Sequence, residues 1–252
     1  MSPDAQLAAR AARVGAAAAL AVGRDRLDVA AKGGPVDLVT AADRAAEGAI
    51  AGLLRDERPE EGILGEEGAR AAGARRWVVD GLDGTFNYVS GIPQWCTALA
   101  LAAGDDVLAA AVCDPLRDEL FVAARGEGAR LDGRALAVRA GRTLAEAAVA
   151  TFLRQDKAAD RGALLAALVD AAGIVRTGGA GTLELAWVAA GRVDGWAQPN
   201  VDPWDWLPGR LLVEEAGGTT AVLDGEPRWH LAGAAGLVDE LARWARGLAP
   251  SR

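Results

Sequence analysis

Histidine is almost missing from this chain of 252 residues; His230 is the one copy. Serine–histidine triads, histidine-ligated zinc sites and phosphohistidine chemistry would all have to run through it. It lies in "EPRWHLAG", away from any nucleophile motif, and reads as a surface or strand-end residue. Cysteine is scarce too. Cys96 and Cys113 form no disulfide framework and no metal-ligand spacing, and read as buried thiols of a cytoplasmic protein. Positive charge is in deficit, with 27 Lys and Arg against 35 Asp and Glu and a net charge of −8. A nucleic-acid or membrane-surface binder would need a basic patch, so both partner classes are excluded. Apolar runs stop short of the roughly 18 residues that a membrane span requires. "VGAAAALAVG" is brief and flanked by arginines, which suits the buried part of an amphipathic helix better than a signal peptide. What remains is a chain half apolar, long enough for one sizeable core or two closely packed subdomains. Its chemistry must rest on carboxylates, hydroxyls and metal.

Local signals place the elements. Ser2-Pro3-Asp4 predicts an N-cap with proline at the first helical position, opening a long helix to about Gly23. A short extended piece in "VDLV" precedes a helix capped by Thr40 and ended by Pro59. "GILGEEG" reads as a short strand running into acids, and "RRWVVD" as a buried strand. The stretch from Trp95 to Leu136 reads as successive antiparallel strands joined by Gly-Asp, Asp-Pro and Gly-rich turns. Beyond Leu144 strands and helices alternate. "AAVATF", "IVRTG", "VDGWAQ" and "GTTAVLDG" are the strands; "DRGALLAALVDAAG", "TLELAWVAAG", "WDWLPGRLLVEEAG" and "AGLVDELARWARGL" are the helices. The fold class is α/β, a layered α+β sandwich. An antiparallel-sheet half packed with helices, residues 1–142, is followed by a mixed-sheet half, residues 143–252. Together they make a single domain.

The acids then call for attention. In "WVVDGLDGTFNY" Asp80 leaves a buried strand, Gly81 allows a turn, and Asp83 can point back into the same space. Two carboxylates so close repel, and one would take a proton unless a cation sits between them. Hard cations such as Mg²⁺ take oxygen ligands and are commonly bound with phosphate. Gly84 and Thr85 would supply amides at the start of a turn or helix, a natural phosphate cradle. An Asp-Gly turn capped by its own side chain explains these residues equally well. Further acids shift the balance: Glu66 and Glu67 at another strand end, Asp205 at the head of a helix between two tryptophans, and Asp43 in the first turn of its helix.

With these motifs in order, the sequence resembles the inositol monophosphatase family of metal-dependent phosphatases, within the fructose-bisphosphatase superfamily. "WVVDGLDGTFNY" matches its W-[IV]-[IV]-D-P-[IL]-D-G-T-x-N-[FY] signature, and "DLVTAAD", "GILGEE" and "PWDWLPG…EEAGG" match further motifs. The resemblance spans about Lys32 to Gly218. It implies that Glu66, Asp80, Asp83 and Asp205, with the backbone carbonyl of Leu82, hold two or three Mg²⁺ ions. It implies that Asp43 and Thr85 orient and deprotonate the attacking water, that Lys32 stands near metal and phosphate, and that the amides of Gly84 and Thr85 hold the phosphate. Gly181 and Gln198 fall in the substrate pocket. The implied activity is phosphomonoester hydrolysis, with inositol 1-phosphate or a related polyol or sugar phosphate as substrate. The implied assembly is a homodimer.

Departures from the family pattern bear on the substrate. Gly81 replaces the usual proline, which loosens the turn and leaves its backbone oxygen available. Phe86 replaces a threonine, and Pro208 sits inside a helix, where it should bend the first turns. The segment between Glu67 and Trp77 is short in a region tied to a third, weak metal. Gln198 stands where inositol-cleaving members carry a glutamate; it still hydrogen-bonds but has no charge. Histidinol phosphate, adenosine 3′,5′-bisphosphate or a biosynthetic intermediate are the alternative substrates, and a non-catalytic metal- or phosphate-binding relative the alternative role. A haloacid-dehalogenase-type site would need acids two apart early in the chain, and "RTGGAGT" lacks the spacing of a dinucleotide loop.

Overall fold

The computed structural model describes residues 1–23, 27–32, 38–154 and 160–248. Asp37 of the "DLVTAAD" motif lies outside them. Helix α1 (Pro3–Val22) opens as the sequence predicts, with the Ser2 side chain accepting from the Ala5 amide. The short strands β1 (Ala30–Ala31) and β2 (Leu38–Val39) pair with each other and lead into α2 (Ala41–Glu57). Thr40 and Asp43 form a reciprocal capping box at its start.

The first large sheet follows: β3 (Gly62–Gly65), β4 (Arg70–Ala71), β5 (Arg75–Asp83), then the six-residue helix α3 (Thr85–Ser90), then β6 (Cys96–Ala103), β7 (Asp106–Asp114), β8 (Glu119–Ala124), β9 (Gly128–Leu131) and β10 (Arg134–Ala135). Its order is β10-β9-β8-β7-β6-β5-β3-β4. The pairing is antiparallel throughout except between β3 and β5, which run parallel because β4, antiparallel to β3 on its outer side, returns the chain before β5 begins.

The second half holds β11 (Ala148–Ala150), α4 (Arg161–Ala171), β12 (Ile174–Arg176), α5 (Gly181–Ala189), β13 (Gly195–Pro199), α6 (Pro203–Glu215), β14 (Thr219–Leu223), β15 (Trp229–Gly233) and α7 (Ala235–Gly247). Its sheet order is β12-β11-β13-β15-β14, with parallel and antiparallel pairs mixed as expected. Strand β15 corrects the sequence reading. "RWHLAG" carries no turn signal strong enough to announce it, yet it lies inside the sheet between β13 and β14. His230 accordingly is buried on an inner strand rather than at the surface.

Strand alternation sorts side chains into layers. Trp77, Val79, Leu99 and Leu101 face α1 and α2, where Leu7, Ile50 and Leu54 meet them. Cys96, Ala98, Val112 and Phe121 point the other way, onto Leu183 and Leu185 of α5 and Leu211 and Leu212 of α6. Trp196 and Ala232 close that core from the second sheet. Val149, Ala197 and Leu231 on its far face pack on α4 and α7 through Leu164, Leu168, Leu237 and Leu241. Helices α5 and α6 are thus clasped between two sheets, and the carboxylates gather where the first turn of α6 meets the end of β5. The two cysteines are buried and free, as read.

Candidate active site

Strand β5 does not turn at Gly81. It continues to Asp83 with a bulge: Asp80 pairs with Ala98 and Asp83 with Cys96, three steps on one strand against two on its neighbour. In a regular strand residues three apart face opposite sides, and the extra residue resets that alternation. Asp80 and Asp83 therefore face one space for a different reason than a turn. Nor is the Gly81 carbonyl available, since it accepts from the buried Thr97 hydroxyl at 2.8 Å. Gly81 brings the sheet against α2 instead. A Cβ there would fall 2.8 Å from the Glu47 amide nitrogen and 2.9 Å from the Asp43 carbonyl oxygen.

Asp80, Asp83 and Asp205 each bring a carboxylate oxygen into a cluster whose atoms all lie within 4.8 Å of one another. Asp205 reaches it from inside the first turn of α6, where Asp202 is the N-cap residue. Asp80 accepts from the Leu82 amide at 2.9 Å. Burial, and then the charges of Glu66, Asp83 and Asp205, push its pKa well up. Burial raises Asp83 to about 6, against the pull of the amide hydrogen bond from Thr182. Burial is the leading cause in both, and the neighbouring carboxylates add to it.

Asp43, 2% exposed, is fully engaged. Its Oδ2 accepts from the amide and hydroxyl of Thr40 at 2.8 and 2.5 Å, and its Oδ1 accepts from the Thr85 hydroxyl at 2.7 Å. The Leu82 carbonyl lies 3.2 Å from the same hydroxyl. Gly84, at φ +95°, starts α3 in a conformation that favours glycine. Lys32 ion-pairs with Glu66 and Glu67, each at 2.6 Å. Burial works against its charge, but the two glutamates outweigh it and hold its pKa above the ordinary lysine value. Glu66 thus lines the same cavity while its carboxylate is spent on Lys32 rather than joining the cluster of aspartates.

The cavity measures about 470 Å³ and takes in Lys32, Glu66, Leu82, Thr85, Gly181 and Gln198 with the three aspartates. Gln198 is buried on β13, and its Oε1 has no hydrogen-bond partner among the described residues. Phe86 and Trp204 add apolar walls. Trp206 turns away into the core, stacked on Trp196 at 5.8 Å and edge-on to His230 at 5.1 Å. Trp187, half-buried, lies under the Arg117 guanidinium.

Sequence reasoning missed Glu47 and Thr182. Buried Glu47 accepts from the Glu67 and Ala69 amides, each at 2.7 Å, and so fixes the loop that carries Glu66. The signal was there: Glu47 lies one helical turn after Asp43, on the face that also buries Ala46 and Ile50. Thr182 donates its amide to Asp83 at 2.8 Å and its hydroxyl to the Asp205 carbonyl at 3.0 Å. No local pattern announces a contact that spans 99 residues.

A family model described as the inositol monophosphatase family matches residues 1–251. An inositol-1-monophosphatase of Rhizobium meliloti is 42% identical over 199 residues, covering 76% of this chain and 74% of its own. The Nus factor SuhB of Escherichia coli is 36% identical over 210 residues, covering 81% and 79%. Among solved structures, the extragenic suppressor protein suhB from Bartonella henselae superposes with a TM-score of 0.85 at 34% identity, over 95% of each chain.

Proposed function

The chain belongs to the inositol monophosphatase family, a family of phosphomonoester hydrolases, and on that premise we propose that it is a Mg²⁺-dependent phosphomonoester hydrolase acting first on inositol 1-phosphate. The observation that carries this reading is the convergence of Asp80, Asp83 and Asp205 beside the hydrogen-bonded pair Asp43–Thr85. The donor set fits a hard divalent cation: all oxygen, closely spaced, and self-repelling until a cation arrives. Such a cation supplies Lewis acidity towards phosphoryl oxygens and water.

The protein's own groups do the rest. The Thr85 hydroxyl donates its hydrogen bond to Asp43 and can accept one from water, so a proton leaving that water passes through Thr85 to the Asp43 carboxylate. Asp43 is pinned by Thr40, so the pair meets the substrate already oriented. The amides of Gly84 and Thr85 hold the phosphate. The Leu82 carbonyl and Glu66 stand in reserve as further oxygen ligands, with Lys32 neutralising Glu66. Gly181 and Gln198 face the rest of the substrate, and the unpartnered Gln198 Oε1 takes a hydroxyl donor. Residues 143–252 bring Asp205 to the ligands of the first half, so one catalytic unit spans the chain. A cytoplasmic homodimer is the assembly we attach to this reading.

The test is phosphate release from inositol 1-phosphate, histidinol phosphate, fructose 1,6-bisphosphate and adenosine 3′,5′-bisphosphate, with Mg²⁺ and with chelator. Turnover should need Mg²⁺ and be best on inositol 1-phosphate. Gln198→Leu should raise KM about five- to tenfold with kcat within twofold, the loss of one hydrogen bond made equally in ground and transition states. Another preferred ester would replace the substrate assignment. No turnover on any of them would favour a binding or assembly role.

A further inference from the structure

Glu184 is a charged-type side chain in the first turn of α5, only 1% exposed, and outside the cavity that holds the aspartates. It lines a second cavity of about 620 Å³ together with Gln94 and Trp187. Its Oε1 accepts from the Gly178 amide at 2.8 Å. The Gly178 carbonyl in turn accepts from Asn87 Nδ2 at 2.7 Å, and Asn87 lies on α3, two residues after Thr85. Gly178 is therefore held at both its amide and its carbonyl, by α5 through Glu184 and by α3 through Asn87. The fit is tight: a Cβ on Gly178 would fall 1.8 Å from Gln94 Nε2 and 2.5 Å from Glu184 Oε1.

The segment so held delivers the N-terminus of α5. Its N-cap residue, Ala180, makes no side-chain cap. The amides of Thr182 and Leu183 instead bond to the Asp83 carboxylate, an acceptor from another element doing what an N-cap side chain normally does. Thr182 also ties the segment to the Asp205 carbonyl at 3.0 Å. The orientation of two proposed metal ligands thus depends on where residues 178–182 sit.

We propose that Glu184 is a positioning residue for the metal site, holding residues 178–182 so that the start of α5 locks the Asp83 carboxylate in place. The inference rests on the metal-site reading of Asp80, Asp83 and Asp205. Glu184 acts as a hydrogen-bond acceptor and not as a charge. Burial raises its pKa to about 8, and an amide in its place preserves the bond to Gly178.

The test compares the full-length wild type with Glu184→Gln and Glu184→Met by calorimetric Mg²⁺ titration and by hydrogen exchange of the Thr182 and Leu183 amides in metal-free protein. Removing the acceptor should weaken Mg²⁺ binding about tenfold or more, the usual effect of losing a partner behind a ligand. Exchange at Thr182 should speed up about tenfold in Glu184→Met. Glu184→Gln should stay within about twofold on both measures. Should Glu184→Met not fold, Glu184→Asp removes the same bond by one methylene of reach and should behave likewise. Unchanged Mg²⁺ affinity and exchange without the acceptor would overturn the proposal, and so would a glutamine variant as impaired as the methionine one. A wild type that takes up no Mg²⁺ would defeat the metal reading instead, while the exchange rates still decide whether Glu184 holds the segment.

Discussion

Asp83 combines two roles that usually fall to different residues: it caps α5 and it belongs to the carboxylate cluster. Amide donors stabilise its ionised form while burial and neighbouring acids oppose it. His230 shows the opposite case. Burial, then the Arg228 charge, lowers its pKa to about 4, and its Nδ1 has no partner among the described residues. The folded protein keeps it neutral, while the unfolded chain protonates it below its ordinary value of 6.5. This histidine therefore lowers stability as pH falls from about 6.5 towards 4 and has no effect above that window. Denaturant titrations of wild type and His230→Gln at pH 7.5 and 4.5 should show a smaller acid loss in the variant. Equal losses would mean that His230 is protonated in the fold.

At the level of elements, the bulge at the end of β5 decides the geometry. The sequence shows two aspartates three apart but not whether a turn or a bulge brings them together, because glycine suits both. Only the pairing with β6 distinguishes them, and that partner lies beyond any local window. Gly81 illustrates the consequence. Read alone it looks like slack; in place it is where α2 and β5 touch, backbone on side-chain position. Gly81→Ala should push α2 away and cost about 1–3 kcal/mol, as overpacked sites do. Thermal melts would show a drop of several degrees, with turnover falling because Asp43 moves as well. A melting temperature within a degree of wild type would show that the helix yields freely.

Across the molecule, the site is assembled from remote pieces. Asp43 comes from α2, Asp80 and Asp83 from β5, Thr85 from α3, and Asp205 from α6 between the two sheets. The long helices, the strands of the first sheet other than β4 and four ordered motifs were legible because each rests on local chemistry: caps, alternation, turn residues. Strand β15, the parallel pairing of β3 with β5, and the brace through Glu184 were not, because each is settled by what lies across a sheet or a core. A cation joining α6 to β5 should stabilise the whole fold. At a hundredfold excess over Kd that is about 2.7 kcal/mol, or roughly 5–10 °C for a chain of this size. Scanning calorimetry should find this rise with Mg²⁺ in wild type and little of it in Asp205→Asn. A full rise in the variant would place the ion elsewhere.

The role proposed for these aspartates is to hold the Mg²⁺ that phosphomonoester hydrolysis requires. It is tested most directly by phosphate release from inositol 1-phosphate in wild type and Asp83→Asn across a Mg²⁺ titration. The asparagine oxygen can still cap α5, so the fold should survive. Turnover should rise with Mg²⁺ in wild type and fall at least a hundredfold, roughly 3 kcal/mol, in the variant. Near-wild-type turnover in a folded Asp83→Asn would contradict it.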